Sequence, residues 1–239
     1  MRRLHLEPAE FAGDEGSEVR LVGARARRLR EVLRIRAGAT LSVFDGSGAE
    51  REARVTQLNG SGVTLTLGGS LPAAPEPPVH VVIACAFPKA SRGDWLVEKA
   101  TEIGVAQLVP LETDRSVMHP GEGRFARWQR IAVEAAEQCG RTLIPLVGGD
   151  PPADALLVVG DPDTTVTIRE AIEALPSLPQ AIVLHIGPEG GWTQAELDAF
   201  DARGALRCSM GPRLMRVETA ALVAAAELLA LTGGLSPAR

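Results

Sequence analysis

The pattern of apolar and polar positions differs between the first third of the chain and the rest. Before residue 70, short runs alternate apolar and polar side chains at 41–44, 53–58 and 63–67, with glycine-rich turns at 46–48 and 59–62. Such alternation is typical of strands with one buried face. A helix at about 24–34, with Leu29 and Leu33 on its apolar side, interrupts the strands. The pattern predicts a small β-barrel or sandwich.

Beyond residue 78 the apolar runs become nearly continuous and alternate with amphipathic segments. Strands apolar on both faces and separated by helices are typical of a parallel sheet covered on both sides. This part of the chain is therefore predicted to have an α/β fold. The predicted strands are 79–87, 107–111, 156–160, 181–186 and 206–210, and the predicted helices are 92–103, 124–140, 166–174, 193–203 and 217–232.

A proline-rich stretch, LPAAPEPP at 71–78, lies between the two patterns. Proline fixes the backbone and removes a hydrogen-bond donor, so this stretch cannot continue a helix or a central strand. A length of 239 residues leaves room for two domains that each bury a core. We therefore predict a domain at 1–70, a linker at 71–78 and a second domain at 79–239.

Composition narrows the class of protein. The chain is 45% hydrophobic and 23% charged, and no apolar run approaches the roughly 20 residues of a membrane-spanning helix. The opening MRRLHLEPAE lacks the apolar core of a secretory signal. Neither the three cysteines nor the four histidines have the spacing of a disulfide framework or a metal site. We expect a protein of the reducing cytoplasm with no membrane or metal partner.

The net charge of −5 conceals an uneven distribution. Residues 1–70 hold 11 basic and 9 acidic side chains, whereas residues 71–239 carry a net charge of −7. Seven arginines lie between Arg20 and Arg36, with Glu31 as the single acid among them. A cluster of arginines of this kind suits contact with the phosphate groups of a nucleic acid. The negative net charge, taken alone, would have argued against such a partner.

Two loops stand out as candidates for chemistry. The first, IGPEGG at 186–191, follows a predicted strand and precedes Trp192 and a helix that begins near Thr193, where Glu196 completes a capping-box pattern. Glycines at the carboxyl end of a parallel strand allow a ligand to approach the backbone closely, although an ordinary strand-to-helix turn would have the same pattern. The fingerprints of Rossmann dinucleotide sites and of P-loops are absent from the sequence.

The second loop, MGPRLMRVETA at 210–220, also follows a predicted strand and enters a long helix. Arg213, Arg216, Glu218 and Thr219 crowd this loop. A solvated helix start would account for Glu218 alone, because the helix dipole favours an acid there. Since the carboxyl ends of parallel strands lie at one edge of a sheet, the two loops together predict a single site.

With these motifs in place, the chain resembles the 16S ribosomal RNA uracil-N3 methyltransferases of the SPOUT class. The combination of I-G-P-E-G-G with a downstream L-x-R-x-E-T-A is specific, and the likeness covers nearly the whole chain in order. One departure is Arg28, which stands where the family usually has histidine before Leu29. The matching stretches are 32–34, 44–46, 97–105, 115–116, 134–138 with Arg141 and Pro145, 186–191 and 211–220.

The resemblance implies an α/β fold class in which a C-terminal knotted parallel-sheet (SPOUT, trefoil knot) methyltransferase domain follows a small N-terminal PUA-like β-barrel that binds RNA. It implies S-adenosylmethionine as cofactor, a homodimer with the pocket near the subunit interface, and methylation of N3 of one uridine in 16S rRNA of the assembled small subunit. Two alternatives stay open: a non-catalytic rRNA-binding dimer built from the same two domains, and a Rossmann-type oxidoreductase.

The resemblance and the chemistry together give expected roles to individual residues. Arg216 would stabilise the negative charge that develops on uracil. Glu218 is the first candidate to take the N3 proton and Glu189 the second, although both could instead tie the loops together. Loop 159–162 would complete the pocket. The expected cofactor contacts are Ile186, Gly187, Gly190, Gly191, Met210, Gly211, Leu214 and Thr219, and the expected RNA contacts are Arg25, Arg27, Arg28, Arg34, Lys89, Arg115 and Arg141.

Overall fold

The structure, a computed structural model, describes residues 2–60, 62–89, 91–116 and 121–236. These residues divide into two compact units. The first unit comprises the chain up to Ala74 together with Ala136–Ile144, and the second comprises Pro75–Ala135 and the chain from Pro145 onward. The sequence pattern did not reveal that the stretch after Ala135 groups with the N-terminal part of the chain.

A five-stranded sheet forms the first unit, with strand order β1-β3-β4-β5-β2. Strand β1 runs parallel to β3 and the other neighbours are antiparallel. Alternate residues such as Leu41, Val55 and Leu65 point into a core from which solvent is excluded. The elements are β1 Arg3–His5, α1 Pro8–Phe11, β2 Glu18–Val22, α2 Gly23–Arg27 with a π-helical turn Arg28–Val32, β3 Thr40–Phe44, β4 Glu50–Asn59 and β5 Gly62–Leu71.

Several boundaries in the first unit differ from the predicted ones. Strands β4 and β5 have ten residues each, so Leu71, which we had assigned to the linker, is the last residue of β5. The expected helix at 24–34 consists of an α-helical and a π-helical part, and it ends before Arg34, whose φ of 48° is left-handed. Strands β1 and β2 were not predicted: β1 has only three residues, whereas β2 alternates exposed and buried positions over five residues and was overlooked.

A six-stranded parallel sheet forms the centre of the second unit, with strand order β11-β9-β10-β6-β7-β8. The predicted bounds of β9 and β10 are confirmed, β11 is shorter than predicted, and β8 was not predicted. The elements are β6 His80–Cys85, α3 Ser91–Ile103, β7 Gln107–Pro110, α4 Glu122–Cys139, β8 Leu146–Val147, β9 Leu156–Gly160, α5 Ile168–Glu173, β10 Ala181–Ile186, α6 Gln194–Ala202, β11 Leu206–Cys208 and α7 Val217–Leu231.

The strand order brings three loops to one edge of the sheet. Strand β9 lies between β10 and β11, so the chain leaves the sheet at Gly160, Ile186 and Cys208 on adjacent strands. Helix α7 packs against β6 and β10 through small side chains, among them Ala221 and Ala224, which allow a close approach. Among the helices of the described ranges, none is long and apolar enough to cross a membrane.

Candidate functional site

A cavity of about 350 Å³ opens where the three loops meet at the carboxyl edge of the sheet. Gly160 and Pro162 line it after β9, residues 186–189, 191 and 192 after β10, and residues 210, 211 and 213–217 with Ala220 after β11. Apolar groups dominate the lining, with a few charged side chains at its mouth. The volume lies near the lower end of the roughly 300–1,000 Å³ typical of small-molecule sites.

The glycine loop has a defined conformation. The backbone N–H of Gly191 donates to the carbonyl of Pro188 at 2.8 Å, and Gly191 has a φ of 69°, which favours glycine. Immediately afterwards Thr193 caps α6: its hydroxyl accepts from the N–H of Glu196, and the carboxylate of Glu196 accepts from the N–H of Thr193 at 2.7 Å. The predicted capping box is confirmed, and it fixes where the loop ends.

Trp192 connects the glycine loop with the end of β9. Its indole Nε1 donates to the carbonyl of Gly160 at 3.0 Å. The ring lies against the Cα of Gly187, where a Cβ would be 3.0 Å from Cε2 of the indole, and it meets Phe200 edge-on at 5.1 Å between centroids. A side chain at position 187 would therefore press on the tryptophan, a contact that no pattern in the sequence reveals.

Most of the expected cofactor contacts line the cavity. Of the eight, Gly190 and Thr219 are outside the lining: the carbonyl of Gly190 faces Arg115, and Thr219 is exposed on α7. Loop 159–162 contributes Gly160 and Pro162, as expected. The six that line the cavity are Ile186, Gly187, Gly191, Met210, Gly211 and Leu214.

The charged residues of the two loops lie in different environments. Glu189, Arg213 and Arg216 are exposed and line the cavity. Glu218 is 5% exposed, and its Oε1 lies 3.6 Å from Nη1 of Arg92 on α3. Its Oε2 is buried and accepts no hydrogen bond from any residue that the structure describes.

Glu218 also lies close to the thiol of Cys85 at the end of β6. Burial raises the pKa of Cys85, and the negative charge of Glu218 raises it further. Because Glu218 faces α3 and β6 and is not part of the cavity lining, its position fits a tie between α3 and α7.

Three of the expected RNA contacts have other partners within the first unit. Arg25 pairs with Glu10 at 2.9 Å, and Arg28 pairs with Glu137 at 2.7 Å. Arg141 is 9% exposed, so its guanidinium is not displayed to a macromolecule. These interactions stabilise the unit and reduce the charge that Arg25 and Arg28 offer to RNA, and the assignment of the three arginines to RNA stays a prediction.

Other expected RNA contacts remain on the surface. Arg27 and Arg34 are exposed and form no ion pair with the described residues, and Lys89 is exposed as well. Arg36, a member of the arginine cluster with no predicted role, is exposed too. Arg115 is exposed, but its guanidinium contacts the glycine loop.

His185 lies inside β10 and does not enter the cavity. It is 6% exposed and packs edge-on against Phe200 at 4.8 Å between ring centroids. Burial lowers the pKa of His185 to about 4. Within the described residues, no group of three or more His, Cys, Asp or Glu could hold a metal ion.

The sequence of this chain is similar to those of known RNA methyltransferases. A family profile described as an RNA methyltransferase domain matches residues 75–229. The ribosomal RNA small subunit methyltransferase E of Synechocystis sp. is 34% identical over 228 residues, which are 89% of this chain and 73% of that protein. The protein of the same name from Bacillus subtilis is 28% identical, with 94% of each chain covered.

Two solved structures match with a TM-score of 0.83 and 28% identity each. One is a ribosomal RNA small subunit methyltransferase E from Neisseria gonorrhoeae bound to S-adenosyl methionine, with 97% of this chain and 98% of that chain covered. The other is a methyltransferase from Legionella pneumophila in complex with the bound cofactor SAM, with 95% and 96% covered.

Proposed function

This chain belongs to the RNA methyltransferase family, and we propose that it transfers a methyl group from S-adenosylmethionine to N3 of one uridine in 16S rRNA of the small ribosomal subunit. The expected fold class, an N-terminal barrel followed by a SPOUT-type parallel-sheet domain, is confirmed by its structural neighbours. The proposed assignment gives residues 1–70 the RNA-binding role and residues 79–239 the chemistry.

The cavity at the sheet edge carries this proposal. Its residues fit the cofactor: glycines at 187, 191 and 211 allow close approach to main-chain groups, and Ile186, Met210 and Leu214 offer apolar surface for an adenine ring. When bound, S-adenosylmethionine supplies a methyl group already activated on a sulfonium centre. The protein therefore has to position the base, accept a proton and stabilise charge.

The arginines at the cavity mouth suit the charge that develops on the base. Uracil N3 carries a proton on the base-pairing edge, so the target must be unpaired or extruded before it can react. As the proton leaves, negative charge spreads over O2 and O4 of the base, and donors aimed at those atoms lower the barrier. We assign this role to Arg216, which is exposed and lines the cavity, with Arg213 beside it.

Glu189 is the proposed proton acceptor. It is exposed and lines the cavity, whereas the carboxylate of Glu218 is buried against Arg92. A general base has to come within hydrogen-bond reach of the proton that it takes, directly or through one water. We therefore give Glu218 the alternative role that its position supports, which is to tie α3 to α7.

The exposed arginines of the first unit are the proposed rRNA contacts. Arg27 and Arg34 present charge that no described carboxylate neutralises, so they suit phosphate contact. A homodimer fits the side chain of Leu214, which lines the cavity yet is 92% exposed, because a second subunit would cover this apolar group. Because the proposed substrate is ribosomal RNA, the proposed site of action is the cytoplasm.

Methyl transfer to assembled small subunits tests the proposal directly. With S-adenosylmethionine present, one uridine should gain a methyl group at N3, located by mass spectrometry of nuclease digests and by a reverse-transcription stop. Arg216→Ala should lower kcat by about 10²–10³-fold with the affinity for S-adenosylmethionine retained. The matched control is Arg169→Ala, which removes an exposed arginine paired with Glu173 on α5.

Two results would count against the proposal in different ways. Methylation at another position would refute the N3 assignment and leave the enzyme class intact. Calorimetry that detects no binding of S-adenosylmethionine would favour the non-catalytic rRNA-binding dimer.

A further inference from the structure

A short turn after β7 brings Arg115 onto the glycine loop. The N–H of Ser116 donates to the carbonyl of Thr113 at 3.0 Å, and the N–H of Thr113 donates to Oγ of Ser116 at 3.0 Å. The turn presents Arg115, whose Nη1 donates to the carbonyl of Gly190 at 2.6 Å and to that of Trp192 at 3.2 Å. One guanidinium therefore holds two main-chain carbonyls of the loop.

The aliphatic part of Arg115 also packs against the loop. A Cβ built on Gly190 would lie 3.3 Å from Cδ and 3.4 Å from Cβ of Arg115. The absence of a side chain at Gly190 lets the arginine stem lie against the backbone. Both ends of the side chain are engaged with the protein, which is not the arrangement of an arginine free for phosphate.

The neighbouring residue provides a second link between the same two segments. The N–H of Asp114 donates to Oε1 of Glu196 at 3.1 Å, and the hydroxyl of Thr193 lies 3.4 Å from Oδ2 of Asp114. Burial alone would raise the pKa of Glu196, but hydrogen bonds from Thr193 and Asp114 and the charge of Arg115 lower it. An ionised carboxylate thus fixes the turn on α6.

The glycine loop is anchored on its other side by the indole of Trp192, which donates to the carbonyl of Gly160 at 3.0 Å. Ile186, Gly187 and Gly191, from the end of β10 and the anchored loop, line the cavity. We propose that Arg115 is a positioning residue, which holds loop 187–191 in the conformation that binds S-adenosylmethionine and does not contact RNA. This inference rests on the proposed use of the cavity for that cofactor.

The change Arg115→Ala removes the donor to both carbonyls and exposes the loop to solvent. Hydrogen bonds from a charged donor are among the stronger ones, so the Kd for S-adenosylmethionine should rise about 10-fold or more. Arg115→Lys keeps the charge and has three N–H donors on one nitrogen, but its side chain is one atom shorter than the path to Nη1 of arginine. The Kd of this variant should therefore lie between those of wild type and Arg115→Ala. The affinity for rRNA, measured without cofactor, should stay within about twofold of wild type.

The experiment is calorimetric titration of S-adenosylmethionine into the full-length protein, with thermal unfolding and fluorescence anisotropy on an rRNA fragment alongside. Arg169→Ala on α5 is the control for loss of an exposed arginine. Support would be a raised Kd and KM for S-adenosylmethionine, with kcat at saturating cofactor and Tm without cofactor preserved.

An unchanged cofactor Kd in Arg115→Ala would overturn the inference, whether or not rRNA affinity falls with it. A raised cofactor Kd would also overturn it if Tm without cofactor fell by an amount that corresponds to the same loss of free energy. The residue would then only stabilise the fold. If the wild-type protein itself bound no S-adenosylmethionine, the proposed function would fail together with this inference.

Discussion

Adding one methyl group at Gly187 is the sharpest perturbation of the cavity that the structure offers. A Cβ at this position would lie 3.0 Å from Cε2, 3.2 Å from Cδ2 and 3.3 Å from Nε1 of Trp192. These are atoms of a rigid ring, and the ring is held by its hydrogen bond to Gly160 and by its contact with Phe200. Gly187→Ala therefore requires a rigid ring that is held at two points to shift by a few tenths of an ångström, which strains its hydrogen bond to Gly160.

The expected cost follows from two contributions. Overpacking of a well-packed site typically costs about 1–3 kcal/mol. Weakening the indole hydrogen bond to the carbonyl of Gly160, 3.0 Å in the wild type, adds up to about 1 kcal/mol. Because the displaced ring and the loop both line the cavity, the affinity for S-adenosylmethionine should fall by about tenfold or more.

A double-mutant cycle with Trp192→Ala isolates the clash. Urea unfolding and calorimetric titration would be run on wild type, Gly187→Ala, Trp192→Ala and the double variant. Without the indole the new methyl group has space, so Gly187→Ala should cost less than about 0.5 kcal/mol in that background. Equal costs in both backgrounds would refute the reasoning. Gly60→Ala, at a turn glycine whose added Cβ would meet no atom within 4 Å, is the matched control.

Three further predictions concern other charged or titratable groups. Glu189→Gln should slow single-turnover methyl transfer by about 10²–10⁴-fold, whereas Glu218→Gln should leave the rate within several-fold of wild type. If Glu218→Gln were the slower variant, Glu218 would be the proton acceptor. Since His185 has a pKa of about 4 in the folded state against 6.5 ordinarily, the unfolded chain takes up the proton first as the pH falls. The free energy of unfolding should therefore decrease by up to roughly 3 kcal/mol between about pH 6.5 and pH 4, and urea unfolding of His185→Gln should show a flatter profile. Arg27→Ala should weaken rRNA binding and make the slope of log affinity against log salt shallower by about 0.7, while Arg25→Ala, which loses the pair with Glu10, should lower Tm without changing that slope.

The sequence predicted best the elements that are buried on both faces. Strand β10 is buried along all six residues, so its apolar run is continuous and its bounds are confirmed. Strand β8 has only two residues, one of them the exposed Leu146, and no periodicity can be recognised over that length. The π-helical turn after α2 was also beyond prediction, because the apolar pattern does not distinguish it from an α-helix.

The candidate site was predictable where it depends on local sequence and not where it depends on packing. Glycines directly after a strand predicted the cavity loops, since the carboxyl ends of parallel strands share an edge. Arg115 contacts Gly190 and Trp192, which lie 75 and 77 positions further along the chain, and Glu218 is buried by α3 from another part of the chain. No spacing rule connects such residues, so Arg115 was assigned to RNA, and a structural tie was only the alternative role of Glu218.

The arginine cluster shows how folding reduces the charge that a sequence offers to a partner. Seven arginines lie between Arg20 and Arg36, but Arg25 and Arg28 form ion pairs, and Arg30 donates to two main-chain carbonyls of the β4–β5 turn. Four exposed arginines remain in the cluster, at positions 20, 27, 34 and 36. If each neutralises one phosphate of single-stranded RNA, the logarithm of affinity should fall with the logarithm of salt concentration with a slope of about −3 at most. A measured slope much steeper than this would mean that basic groups outside the cluster also contact the rRNA, and charge reversal at Lys89 would then be the next measurement.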